Sequence, residues 1–100
     1  MRIAICDDNE LQIDIFTHRI SNFLKRSMDV EALITPYDKG QPLIDDVVDG
    51  EWYDIVILDI VLKGESGIEI AKELRLNGYN GNIIFWTAHK EYVFEALDIL

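Results

Sequence analysis

The sequence predicts an α/β domain, a parallel sheet with helices on both faces, and three observations predict it. The stretch Tyr53-Asp-Ile-Val-Ile-Leu-Asp-Ile-Val61 is an almost unbroken aliphatic, β-branched run, which reads as a strand buried on both faces. Along the chain, short apolar runs alternate with longer stretches whose apolar residues recur at helical spacing, the signature of successive βα units. Asp59 stands at the C-terminal end of the central run. A buried, unpaired charge is expensive, and open α/β sheets place their ligand sites at the carboxyl ends of strands, so the search for function starts there.

Composition narrows the class. One hundred residues make one domain, and 49% hydrophobic residues support a packed core. No apolar run reaches about 18 residues, so no transmembrane helix is expected. The N-terminus, Met-Arg-Ile-Ala-Ile-Cys-Asp-Asp, turns acidic too soon for a signal peptide. Cys6 is the only cysteine and cannot form an intrachain disulfide, which suits a cytoplasmic protein. The formal net charge is −10, and the only basic cluster is Lys25-Arg26. Such a surface repels nucleic acid and anionic membrane, so neither is expected as a direct partner.

The elements follow in order. Arg2 to Cys6 is a short apolar strand. Asn9 is placed to cap a helix, with Gln12 three residues on, and the helix runs from about Glu10 to Arg26. Ile13, Phe16, Ile20, Phe23 and Leu24 form its predicted buried face. Val30 to Thr35 reads as the second strand, and Pro36 and Gly40 punctuate a loop. Pro42 suits the first turn of a short helix through Val48, which Gly50 stops. After the central strand, Leu62 to Gly67 reads as a loop. Ser66 and Glu69 form a capping box opening a third helix, which turns Ile70, Ala71 and Leu74 inward and ends at Asn77-Gly78. Asn82 to Trp86 is the fourth strand. Beyond Thr87-Ala88-His89, a stripe of Val93, Ala96, Leu97 and Leu100 predicts a fourth helix. Right-handed crossovers make all four strands parallel. Cys6 reads as a buried small hydrophobe, and Trp86, Tyr92 and Phe94 as core or interface surface.

In that arrangement three features share one rim: Asp7-Asp8 after the first strand, Asp59 after the third, and Thr87 after the fourth. The carboxylates converge only if strands one and three are neighbours. That is the flavodoxin-like, doubly wound order 2-1-3-4, with the ligand site at the junction of strands one and three. Carboxylates ~5 Å apart at an effective dielectric of ~20 repel by about 3 kcal/mol per pair. A bound Mg²⁺ would remove the conflict, since it takes oxygen ligands and keeps several waters. Asp8 and Asp59 are the expected direct ligands, Asp7 a nearby or water-mediated one, and the backbone carbonyl of Val61 a further one. A carboxylate at such a rim can accept a phosphoryl group, and the Thr87 hydroxyl can donate a hydrogen bond to one of its oxygens.

Cys6-Asp7-Asp8-Asn9, Val56-Ile-Leu-Asp59-Ile60, the loop ending in Gly67, and Phe85-Trp86-Thr87-Ala88 resemble, in order, the receiver domain of two-component response regulators, the CheY-like fold. The opening Met1 to Asn9 and the segment Thr-Ala-His-Lys-Glu-Tyr-Val-Phe-Glu-Ala resemble most the LytTR subfamily. The resemblance implies a sensor histidine kinase as phosphodonor, Asp59 as acceptor, Asp7 and Asp8 as Mg²⁺ ligands and Thr87 as switch residue. It implies a phosphoprotein rather than an enzyme, with at most slow autodephosphorylation, regulating a separate LytTR DNA-binding output domain. It also implies a fifth strand and helix, with a phosphoryl-binding lysine after that strand. The sequence ends at Leu100, so residues 1–100 are expected to form an incomplete receiver domain with the fifth βα unit missing. Impaired phosphorylation and self-association through the exposed edge of the fourth strand are expected with it. Lys63 stands where the family has a proline in the loop after the acceptor. The competing expectation is a phosphorylation-independent interaction module of the same fold.

Overall fold

The strands and helices follow from how the apolar residues are spaced, and the computed structural model, which describes residues 1–86, shows them in detail. The elements are β1 (Arg2–Cys6), α1 (Glu10–Met28), β2 (Leu33–Tyr37), α2 (Gly40–Val48), β3 (Ile55–Asp59), β4 (Val61–Leu62), β5 (Glu65–Ser66), α3 (Gly67–Leu76) and β6 (Asn82–Trp86). The main sheet has the order β2-β1-β3-β6 and is parallel throughout. This is the predicted 2-1-3-4 arrangement, with β6 as its fourth strand. Thr87 and the predicted fourth helix lie outside the described residues.

Side chains alternate across a strand, and the two faces of the sheet build two cores. On one face Ile3, Ile5 and Ile57 pack against Ile13 and Leu24 of α1, with Phe16 and Ile20 alongside. On the other, Ala4, Cys6, Val56, Leu58 and Ile83 meet Leu43 of α2 and Ile70, Ala71 and Leu74 of α3. Each fully buried leucine or isoleucine contributes about 1.5–3 kcal/mol. Phe23, expected on the buried face of α1, is 62% exposed.

Three boundaries differ from expectation. The second strand is Leu33–Tyr37, not Val30 to Thr35. Asp29 ends α1 in the left-handed region at φ 51°, and the Val30 N–H donates to the Leu24 carbonyl at 3.0 Å, so Val30 closes the helix instead of opening the strand. Pro36 then falls inside β2, which tolerates it as the outer strand of the sheet among the described residues. Gly40 is the first residue of α2, not a loop residue, and it is glycine that lets α2 approach α3 there, since an added Cβ would lie 2.5 Å from the Ile70 side chain. The loop after the central strand holds a two-stranded antiparallel hairpin, β4 with β5, turned by Gly64 at φ 75°. Caps at both long helices are as predicted. Asn9 Oδ1 accepts from the Gln12 N–H at 3.0 Å, and Ser66 Oγ accepts from the Ile68 N–H at 3.2 Å. Glu69, the other half of the predicted box, turns to Lys72. Among the described residues no helix is long and apolar enough to cross a membrane.

Candidate functional site

The register Cys6↔Leu58 between β1 and β3 puts the next residue of each, Asp7 and Asp59, side by side at the C-terminal edge of the sheet. Parity gives both the α1 face, because Cys6 and Leu58 turn to the opposite core. Asp8 follows one residue later, and Asn9 caps α1 immediately after. One oxygen from each of Asp7, Asp8 and Asp59 lies within 4.8 Å of the others. The predicted convergence is present.

The three carboxylates have different surroundings. Asp7 is 1% exposed and is the one buried polar or charged residue among those described. Its Oδ1 accepts from the Asn9 N–H at 2.9 Å, and its Oδ2 accepts from the Trp86 indole N–H at 3.0 Å. Asp8 is exposed, and its Oδ2 accepts from the backbone N–H of Lys63 at 2.6 Å, a short, charge-assisted bond that ties the hairpin turn to the end of β1. Asp59 is half-buried, with Oδ1 on the Val61 N–H at 3.1 Å. Val61 therefore turns its N–H to Asp59 while its side chain is 39% exposed. Among the described residues, the salt bridges join Arg2 to Glu51, Lys25 to Asp29 and Glu31, and Lys72 to Glu69; none reaches Asp7 or Asp8. Three hard carboxylate oxygens this close suit a hard divalent cation that keeps part of its water shell.

The loop after Asp59 is held from two sides. Gly67 donates its N–H to the Ile60 carbonyl at 2.8 Å, and a Cβ there would lie 1.9 Å from the Asp59 carbonyl oxygen. Only glycine permits that approach. Glu65 accepts from the Gly40 N–H through both oxygens, at 3.1 and 3.3 Å, so a carboxylate of the hairpin sits at the N-terminus of α2. Cys6 is fully buried, and burial first, then nearby carboxylates including Glu65 and Asp7, pushes its thiol up to about 12. It is a core residue without thiolate chemistry. Thr87 lies outside the described residues.

Two residues of the site escape sequence reasoning. Trp86 read as core or interface surface, yet its indole holds Asp7. Glu65 carried no expectation, and its pairing with Gly40 depends on a hairpin that looked like plain loop.

The receiver-domain profile of response regulators ("Response regulator receiver domain") matches residues 3–99. The sensory transduction protein LytT of Bacillus subtilis (strain 168) is 31% identical over 99 residues, which is 99% of this chain and 39% of LytT. The sensory transduction protein LytR of Staphylococcus haemolyticus is 41% identical over 49 residues, 49% of this chain and 19% of LytR. The chain thus spans well under half the length of these relatives. Among solved structures, the response regulator protein TrrA of Thermotoga maritima, in complex with Mg(2+)-BeF, superposes with a TM-score of 0.81 at 26% identity, over 98% of this chain and 79% of TrrA. A CheY-like receiver domain from Methylobacillus flagellatus gives 0.79 at 17% identity, over 100% of this chain and 80% of that one, a likeness of fold.

Proposed function

We propose that this chain, which belongs to the response regulator receiver domain family, accepts a phosphoryl group on Asp59 from a sensor histidine kinase. Receiver domains are the signalling domains of two-component systems. The observation that carries the proposal is the convergence of Asp7, Asp8 and Asp59 within 4.8 Å at the switch point of a β2-β1-β3-β6 sheet. The complex of TrrA with Mg(2+)-BeF supports it.

In this reading Asp8 and Asp59 would hold Mg²⁺ directly, with Asp7 beside it or joined to it through water, and the Val61 carbonyl would add a further oxygen. When bound, the ion supplies positive charge against the carboxylates and the incoming phosphoryl oxygens. The chain's own groups do the rest. The Val61 N–H orients Asp59 through Oδ1. A carboxylate oxygen of Asp59 attacks phosphorus, the bond from phosphorus to the donor nitrogen breaks, and an acyl phosphate forms. The Thr87 hydroxyl donates to a phosphoryl oxygen. Water later attacks phosphorus, the bond from phosphorus to the Asp59 oxygen breaks, inorganic phosphate leaves and the carboxylate is restored, slowly, so the chemistry serves signalling rather than turnover. LytT and LytR are sensory transduction proteins, which supports a signalling role; the proposal sets that role in the cytoplasm, in transcriptional regulation, with a LytTR-type output region that binds DNA while this segment does not.

Beryllofluoride, added with and without Mg²⁺ and followed by backbone amide resonances near Asp59, tests the site. Binding that requires both Mg²⁺ and the Asp59 carboxylate is the expected result; retained binding in Asp59→Asn overturns the proposal. A second contact is proposed at β6, the other outer strand of the sheet among the described residues, where Ile84 is 49% exposed. Pairing there with another copy of the chain predicts concentration-dependent association in sedimentation. A single monomeric species at high concentration contradicts it.

A further inference from the structure

Trp86 joins three parts of the molecule around the carboxylate cluster. It ends β6, which β3 separates from β1, and it stands in register with Asp59. Residues in register on neighbouring parallel strands present their side chains to the same face, so the indole shares the α1 face with Asp59. Its N–H reaches across β3 to Asp7 Oδ2 at 3.0 Å. Its ring meets Phe16 of α1 edge to face, with centroids 5.0 Å apart and planes at 87°. Its carbonyl accepts from the Ile60 N–H, just after Asp59, at 3.2 Å.

We propose that Trp86 is a positioning residue of the cation site and acts through Asp7. The inference rests on the Mg²⁺ reading above and adds to it. Asp7 is buried, and each of its oxygens has one neutral donor, the Asn9 N–H on one side and the indole on the other. The pair opposes rotation of the carboxylate and fixes the edge it turns toward Asp8 and Asp59. Without the indole N–H, a buried acceptor oxygen loses its donor and the carboxylate is held only by the Asn9 N–H on its other oxygen. Removing an outer hydrogen-bond partner of a metal-ligating group typically weakens metal binding by about 10–100-fold. The same indole couples the two ends of the site, because a change at Asp7 is felt at the last residue of β6.

Three measurements on the protein test this together. Trp86→Phe keeps an aromatic ring against Phe16 and removes only the N–H. In calorimetric titration with Mg²⁺, affinity is expected to fall about tenfold. Phe16→Leu removes the edge-to-face contact but spares the hydrogen bond, and its affinity should stay at the wild-type value. In the wild type, which needs no substitution to be read, the indole N–H resonance of Trp86 should move as Mg²⁺ is added. That of Trp52, which lies against Tyr79 ahead of β3, should stay. Trp86→Phe with wild-type affinity, Phe16→Leu with an equal loss, or an unmoved Trp86 resonance at saturating Mg²⁺ overturns the role of Trp86 and leaves the cation reading standing. A wild-type protein that binds no Mg²⁺ overturns both.

Discussion

Asp7 is the residue on which the site is hung, and its burial has a measurable counterpart in its neighbours. Three carboxylates within 4.8 Å repel in the ion-free state by about 3 kcal/mol per pair at an effective dielectric of ~20, and less where water screens them. Asp59→Asn should therefore raise ion-free stability by ~1 kcal/mol, read from urea unfolding in EDTA, and a loss of stability contradicts the repulsion. Cys6 gives a prediction in pH. Its folded thiol titrates near 12 against ~8.5 in an unfolded chain. The unfolded state ionises first, so the contribution of Cys6 is complete below ~8.5 and is lost as pH rises from there towards 12. Between pH ~7 and ~10, the wild type should lose more stability in urea than Cys6→Ala; parallel losses contradict the assignment. Asp7, Asp8 and Asp59 could be read from sequence because strand ends and local order place them. The hold of Trp86 on Asp7 could not, because it spans 79 residues and an intervening strand. Only the register of β6 with β3, which no local pattern encodes, puts that indole on the right face.

The hairpin of β4 and β5 decides how rigidly Asp59 is presented. Lys63 N–H on Asp8, Gly67 N–H on Ile60 and Glu65 on the Gly40 N–H fasten it to β1, β3 and α2 at once. Gly67→Ala must displace the chain from the Asp59 carbonyl, 1.9 Å from an added Cβ, and overpacking of this kind costs typically 1–3 kcal/mol. Both unfolding free energy and Mg²⁺ affinity should fall in that variant. A drop in stability with unchanged affinity would separate the loop from the site. At this scale the helices and caps were readable and the boundaries less so. Asn9 and Ser66 announce helix starts by side-chain chemistry that acts within three residues. Val30 was misassigned because a left-handed Asp29 closes α1, and Pro36 because a proline is tolerated in a strand only when that strand is at the edge, a fact of the whole sheet.

At the scale of the whole molecule, fold and site share strands but draw on different side chains. The cores on the two faces of the sheet contain no member of the carboxylate cluster, and the cluster sits where β1 and β3 run out. Strand order was legible because the carboxylates that follow β1 and β3 can meet only when those strands are neighbours, and they do meet. Independence of the two in energy is then a prediction. Leu74, fully buried between α3 and the sheet, should cost about 2–5 kcal/mol when cut to alanine. A ligand that binds only the folded state adds RT ln(1 + [L]/Kd), ~2.7 kcal/mol at a hundredfold excess over Kd, whatever the starting stability. Wild type and Leu74→Ala should thus gain the same increment from saturating Mg²⁺, from different baselines, while Asp59→Asn gains little from a baseline at or above wild type. In thermal unfolding each kcal/mol corresponds to roughly 4–8 °C for a domain of this size, so the three patterns are distinct. An increment that shrinks in Leu74→Ala would mean that packing under α3 sets the geometry of Asp59, and that core and site are one cooperative unit.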